Sequence, residues 1–129
     1  MNGFKGSTAV LIFGLMVGCT TPPKDDQLVN LALDEIMETD YAKAEEYLVE
    51  ALAENPDNPY ALINMGVVYH NTDRKEQAQQ MYQKAIDLEP DSRAGRASSD
   101  DDEGRPLLEI ARKNLQTLEA GGAYLAGSR

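Results

Sequence analysis

The chain has 129 residues, of which 42% are hydrophobic and 26% charged, a composition that fits one globular domain. It has one Cys and one His, which excludes an intramolecular disulfide and leaves too few ligands for an ordinary zinc site. The acids do not follow the spacing of a calcium-binding loop, so we expect neither a metal nor another cofactor. The net charge of −10 disfavours direct contact with nucleic acid or with an anionic membrane surface.

The first 18 residues have the pattern of a secretory signal peptide. Lys5 precedes the mostly apolar run 9–18, which is shorter than the roughly 20 residues that a membrane-spanning helix needs. The run ends in Met-Val-Gly-Cys at 16–19, which resembles the lipobox of bacterial lipoproteins. The resemblance implies cleavage before Cys19 and lipidation of its thiol with diacylglycerol and palmitate-type acyl chains. The alternative is an ordinary signal peptide whose terminal Cys is incidental.

Residues 19–24 then form a lipidated Cys and a short tether to the folded part. In Gram-negative lipoproteins an Asp after the Cys resembles an inner-membrane retention signal, and this chain has Thr20 there. We therefore expect a lipid-anchored protein of the bacterial cell envelope, at the outer membrane and facing the periplasm.

An internal repeat of 34 residues relates 25–58 to 59–92. The shift aligns small and apolar residues: Leu28 with Leu62, Leu31 with Met65, Ala32 with Gly66, Ala44 with Ala78, Leu48 with Tyr82, Ala51 with Ala85 and Pro56 with Pro90. With Tyr69, this pattern resembles the tetratricopeptide repeat (TPR). The resemblance implies an all-α fold, a helix-turn-helix array of two repeats.

Helix start and stop signals divide each repeat into two amphipathic helices, near 26–38, 41–54, 59–71 and 74–88. Asn58 followed by Pro59 is typical of a helix start. Asp73 with Glu76 three residues later resembles a capping box.

The repeat pattern does not continue beyond residue 92. Residues 93–105 contain no apolar side chain larger than Ala, so we expect a flexible acidic loop, with the run 100–103 solvated rather than bound to metal. Residues 106–120 have Leu and Ala on one face and predict a C-terminal capping helix over the last repeat, followed by a tail at 121–129.

The TPR resemblance implies that the first helices of the two repeats line a concave groove. The predicted groove residues are mainly apolar: Val29, Leu33, Ile36, Met37, Tyr60, Ile63, Val67, His70 and Asn71. Acids such as Asp26, Asp34 and Glu38 would form its rim. TPR proteins that grip a terminal carboxylate use Lys and Arg in this groove, and none is present among these nine residues. The groove then either binds a helix or extended segment of a partner or is covered by the C-terminal helix or a second copy.

These features predict a binding protein and not an enzyme. His70 lacks a neighbouring ligand or triad partner, so a surface or groove-edge position is expected. The favoured function is a membrane-tethered adaptor that binds a partner protein segment in the groove and assists the assembly of an envelope complex, as TPR lipoproteins of pili and secretion channels do. The alternative is a structural subunit that forms homo-oligomers through its repeats.

Overall fold

The computed structural model of the chain describes residues 21–122, and the predicted signal peptide, Cys19 and most of the predicted tail lie outside this range. The described part contains five α-helices and one short 3-10 helix. In chain order they are α1 (Lys24–Met37), α2 (Tyr41–Glu54), α3 (Pro59–Asn71), α4 (Lys75–Asp87), the 3-10 helix (Asp100–Asp102) and α5 (Leu107–Glu119). The predicted all-α helix-turn-helix array is confirmed, and the four repeat helices differ from their predicted bounds by at most two residues.

The helix starts are set by side chains that accept hydrogen bonds from free backbone N–H groups. Asn58 Oδ1 accepts from the backbone N of Tyr60 at 2.9 Å and of Ala61 at 3.1 Å, and Pro59 opens α3 as predicted. Asp40 caps α2 by accepting from the backbone N of Lys43 at 3.2 Å. The sequence therefore contains two capped helix starts, of which we had predicted only the one at Asn58.

The predicted capping box at Asp73 is wrong. Asp73 has a positive φ of 58°, which places it in the turn after α3, and the residue before α4 is Arg74, whose side chain makes no capping bond. Thr39, one repeat earlier, has the same conformation, with a φ of 63°. Both repeats thus turn through a left-handed residue between their two helices, and the second helix starts one residue later than a capping box at Asp73 would require.

Helices that follow each other in sequence pack against each other, and α3 also contacts α1 and α5. Inside the second repeat, Gly66 of α3 lies against the fully buried ring of Tyr82 of α4. A Cβ atom on Gly66 would lie 2.4 Å from Tyr82 Cε1, which is far inside van der Waals contact. Ala32 and Leu48 occupy the equivalent positions of the first repeat, and both are completely buried. A larger side chain on the second helix is therefore matched by a smaller one on the first.

A buried polar cluster joins the beginnings of α1 and α3. Asp25 Oδ2 accepts from Asn55 Nδ2 and from Asn58 Nδ2, each at 2.9 Å, and Asn58 Nδ2 also approaches Asp26 Oδ1 at 3.2 Å. The amides of Asn58 and Asn55 hold the pKa of the Asp25 carboxyl below its usual value, because they hydrogen-bond its charged form. This cluster fixes the first repeat against the second.

The segment 93–105, for which we predicted a flexible acidic loop with the run 100–103 solvated, is partly buried and makes backbone hydrogen bonds. Its ends are joined by an antiparallel bridge between Arg93 and Pro106, and Ala94 N donates to Arg105 O at 2.9 Å. Ala94 is 3% exposed and Asp102 only 1% exposed, so the acidic run is not solvated throughout. Backbone hydrogen bonds join the two ends of the segment, and the segment packs against the helices. These contacts bury side chains although the segment itself has few apolar residues. We call residues 93–105 the loop.

The last helix, α5, covers the second repeat. Its buried Leu107, Ile110 and Ala111 share a hydrophobic cluster with Ile63 of α3 and Ala85 of α4. It therefore packs as the first helix of a third repeat would. Among the helices of residues 21–122, none is long and apolar enough to cross a lipid bilayer.

Candidate functional site

A cleft of about 280 Å³ lies on the side of the molecule where α1 faces α3, and Arg96 of the loop closes its far side. Val29 and Leu33 of α1 and Tyr60 of α3 provide apolar surface. The whole lining also includes polar groups and comprises Pro22, Asp26, Val29, Asn30, Leu33, Tyr60, Asn64, Gly95 and Arg96. We call this the α1–α3 cleft. Its mixed lining suits a peptide segment better than a purely apolar ligand.

The predicted groove residues do not form one continuous open surface. Val29, Leu33 and Tyr60 line the α1–α3 cleft. Ile36 and Val67 are fully buried in the main core between the helices, where no partner can contact them without unfolding. The other two apolar residues of the predicted groove also lie outside the cleft. Ile63 is beneath the loop and α5, and Met37 at the end of α1 is 41% exposed.

The polar end of the predicted groove is occupied by the chain itself. His70 is 6% exposed, and its Nε2–H donates to the backbone O of Gly122 at 2.8 Å, so the expected surface or groove-edge position is wrong. Asn71 Nδ2 donates to the backbone O of Val67 in its own helix at 2.8 Å. Of the two coverings that we had considered for this surface, the chain's own C-terminal part thus accounts for the His70 end of α3.

The loop is fixed to the cleft by two contacts with the repeat helices. The Tyr60 hydroxyl donates to the backbone O of Arg93 at 2.6 Å. Burial, and secondarily the nearby Asp26 carboxylate, raise the pKa of the Tyr60 phenol, which therefore stays a hydrogen-bond donor at neutral pH. Arg96 Nη2 donates to Asp34 Oδ1 of α1 at 2.6 Å. The loop thus spans from α3 to α1.

Beneath the loop, a small cavity of about 20 Å³ has room for roughly one water molecule. Asp102 lines it, and its Oδ1 accepts from Lys113 Nζ of α5 at 2.7 Å. Asp102 Oδ2 is buried and has no hydrogen-bond partner within residues 21–122. In the same part of the chain, no group of three or more His, Cys, Asp or Glu side chains is arranged to hold a metal ion. Asp102 therefore fastens the loop to α5.

Three polar side chains of the cleft were absent from our sequence-based set: Asn30, Asn64 and Arg96. Helical spacing could have identified the first two, since Asn30 is four residues after Asp26 and Asn64 four after Tyr60, on the same helix faces. Arg96 could not have been identified, because it reaches Asp34 from a position 62 residues away, in a segment without periodicity.

The sequence matches a family model described as tetratricopeptide repeat over residues 35–99, half of the chain. The chain belongs to the tetratricopeptide-repeat family. No curated protein and no solved structure matches it significantly. Tetratricopeptide repeats generally mediate protein–protein interactions and are typically non-enzymatic adaptors. In this TPR array the first helices of the two repeats, α1 and α3, line the cleft, and Gly95 and Arg96 of the loop complete its lining.

Proposed function

We propose that this protein is a membrane-tethered adaptor that binds a segment of a partner protein in the α1–α3 cleft. The observation that carries the proposal is the cleft itself, which combines the apolar side chains Val29 and Leu33 with the amide side chains Asn30 and Asn64. Asn64 is 7% exposed and lines the cleft. A primary amide can both donate to and accept from the backbone of an extended segment.

The tether is proposed from the N-terminal sequence. Lipidation of Cys19 would anchor the protein at the outer membrane, on the periplasmic side, where it would assist assembly of an envelope complex. Pro22, which lines the cleft, is three residues after Cys19. An anchor at Cys19 would therefore keep the edge of the cleft within about 10 Å of extended chain from the lipidated residue. A partner bound there would be held close to the membrane surface.

Site-specific photo-crosslinking in cells tests the adaptor function. The photoreactive residue p-benzoylphenylalanine replaces Asn30, which is exposed and lines the cleft, and in a control it replaces Gln80, which is exposed on α4. We expect one protein adduct from position 30 and none of the same mass from position 80. The adduct should decrease with Cys19→Ser, which removes the proposed lipidation site.

Two results would contradict the proposal. An adduct of the same mass from both positions would mean that contact is not specific to the cleft. An adduct from position 30 that contains only a second copy of the chain would support the structural-subunit alternative.

A further inference from the structure

The α1–α3 cleft already contains one cationic side chain from its own chain. Arg96 of the loop lines the cleft and donates to Asp34 Oδ1 at 2.6 Å. At the edge of the cleft the guanidinium meets a carboxylate of α1, as an arginine of a bound peptide would. The loop therefore shows that an arginine side chain can bind Asp34 at this surface.

The charge of the surrounding repeat favours a cation at this position. Residues 25–58 contain eleven acids and one base, Lys43. Lys43 is engaged in an ion pair with Glu35, so it does not neutralise the cleft acids. Asp26 lines the cleft on the same helix as Asp34, two turns earlier. A cationic segment would be attracted to this face, and an acidic one repelled.

The Arg96–Asp34 contact is the weakest attachment of the loop. Both side chains are about half exposed, at 48% and 57%, and exposed pairs of this kind stabilise a fold little. The other attachments are stronger, since Asp102 is buried against Lys113 and the loop base is joined by backbone hydrogen bonds. Arg96 can therefore leave Asp34 while the rest of the loop stays attached.

We propose that the partner segment of this adaptor is cationic, that an arginine or lysine of it replaces Arg96 at Asp34, and that Arg96 is an internal competitor for this site. The inference rests on the proposed function and specifies the chemistry of its partner. Asp34 is then the anchor for the partner's cation, and Arg96 lowers the affinity of the resting protein and excludes segments without a positive charge.

Peptide binding to the full chain, purified in a nonionic detergent, tests this inference. Two fluorescein-labelled peptides share one Leu- and Ala-containing extended sequence and differ only in carrying arginine or its neutral isostere, citrulline. Fluorescence anisotropy gives the affinities for the wild type, Arg96→Gln and Asp34→Asn. Two controls make the same charge changes outside the cleft: Arg112→Gln on α5 and Glu46→Gln on α2, both at exposed positions.

We expect the arginine peptide to bind more tightly than the citrulline peptide. Arg96→Gln should strengthen its binding about threefold, the size of effect that an exposed ion pair provides, and clearly more than Arg112→Gln does. Asp34→Asn should weaken it about threefold, and Glu46→Gln should weaken it less. Circular dichroism should show the same helix content in all five proteins.

The inference is overturned if both peptides bind equally, or if Arg96→Gln has no larger effect than Arg112→Gln. It is also overturned if neither peptide binds Arg96→Gln at millimolar concentration. These failures are distinguishable from failure of the adaptor function. A specific adduct from position 30 would still support the cleft as a binding surface for a partner of other chemistry.

Discussion

The contact between Gly66 and Tyr82 predicts that a single methyl group will destabilise the protein. In Gly66→Ala, the new Cβ would lie 2.4, 2.6 and 2.9 Å from three ring atoms of Tyr82. The ring is fully buried between helices, so it cannot turn away without displacing its neighbours. The substitution would therefore separate α3 from α4.

Two opposing effects set the change in the free energy of unfolding for Gly66→Ala. Overpacking of a buried contact costs about 1–3 kcal/mol, and three distances below 3.0 Å place this case near about 3 kcal/mol. Replacement of Gly by Ala inside a helix contributes about 1 kcal/mol of stability in the other direction. The net free energy of unfolding should fall by about 2 kcal/mol, and Tm by about 10 °C for a domain of this size.

Urea denaturation followed by far-ultraviolet circular dichroism measures the effect. A double-mutant cycle with Tyr82→Leu gives the specific test, because the first repeat has Ala32 and Leu48 at the equivalent positions. In the Tyr82→Leu background, where the ring is absent, only the helix-propensity effect remains, and Gly66→Ala should stabilise by up to about 1 kcal/mol. The coupling between the two substitutions should therefore be about 3 kcal/mol.

A coupling near zero would contradict a steric clash between the new methyl group and the ring. It would mean that Gly66→Ala acts through something other than the Tyr82 ring. A neutral or stabilising Gly66→Ala with an unchanged denaturant slope would mean that the two helices tolerate the methyl group at their observed distance.

Three further predictions concern the polar contacts. Asn58→Asp keeps an N-cap acceptor but removes the donor to Asp25 and adds a buried negative charge beside it, so the free energy of unfolding should fall by about 3 kcal/mol. Asn58→Ser adds no charge and should lower the free energy of unfolding clearly less. Equal losses for the two variants in urea titrations would contradict this prediction. Because the pKa of Asp25 is lowered in the folded state, its contribution is complete above the unfolded pKa of about 3.9 and is lost as pH falls through the folded pKa. The difference in the free energy of unfolding between wild type and Asp25→Asn should therefore be constant near neutral pH and become smaller below about pH 4. A difference that stays constant down to about pH 2 would contradict the two amide hydrogen bonds as its cause. Arg74 pairs with both carboxylate oxygens of Glu45, at 2.8 and 2.6 Å, and its guanidinium lies 4.4 Å from the centre of the Tyr69 ring. Arg74→Lys keeps the charge but loses this geometry, so Tm should fall by a few degrees, which corresponds to about 1 kcal/mol. An unchanged Tm would show that only the charge of residue 74 matters for stability.

The repeat helices could be predicted closely because their signals are local. Apolar spacing and Pro59 after Asn58 each depend on a few neighbouring residues, and the recurrence at 34 residues relates two such local patterns to each other. The start of α4 could not be predicted, because the conformation of Asp73 depends on how α3 ends. In the sequence, an acid three residues before Glu76 fits a capping box as well as it fits a turn residue.

The site could be predicted only in part. The TPR resemblance selected one face of α1 and α3, and Val29, Leu33 and Tyr60 do line the cleft. The same resemblance also selected Ile36 and Val67, which are buried, because an apolar residue on a helix face has the same pattern whether another helix or solvent covers it.

The helices, their order and the family can be read from the sequence, because they follow from residues close together in the chain and from a fixed repeat length. Which part of the expected groove stays open is set by the tertiary packing. That depends on α5 and the loop, which reach α3 and α1 from far along the chain. The Arg96–Asp34 pair joins residues 62 positions apart, and such a contact is set by the packing of helices rather than by any local pattern.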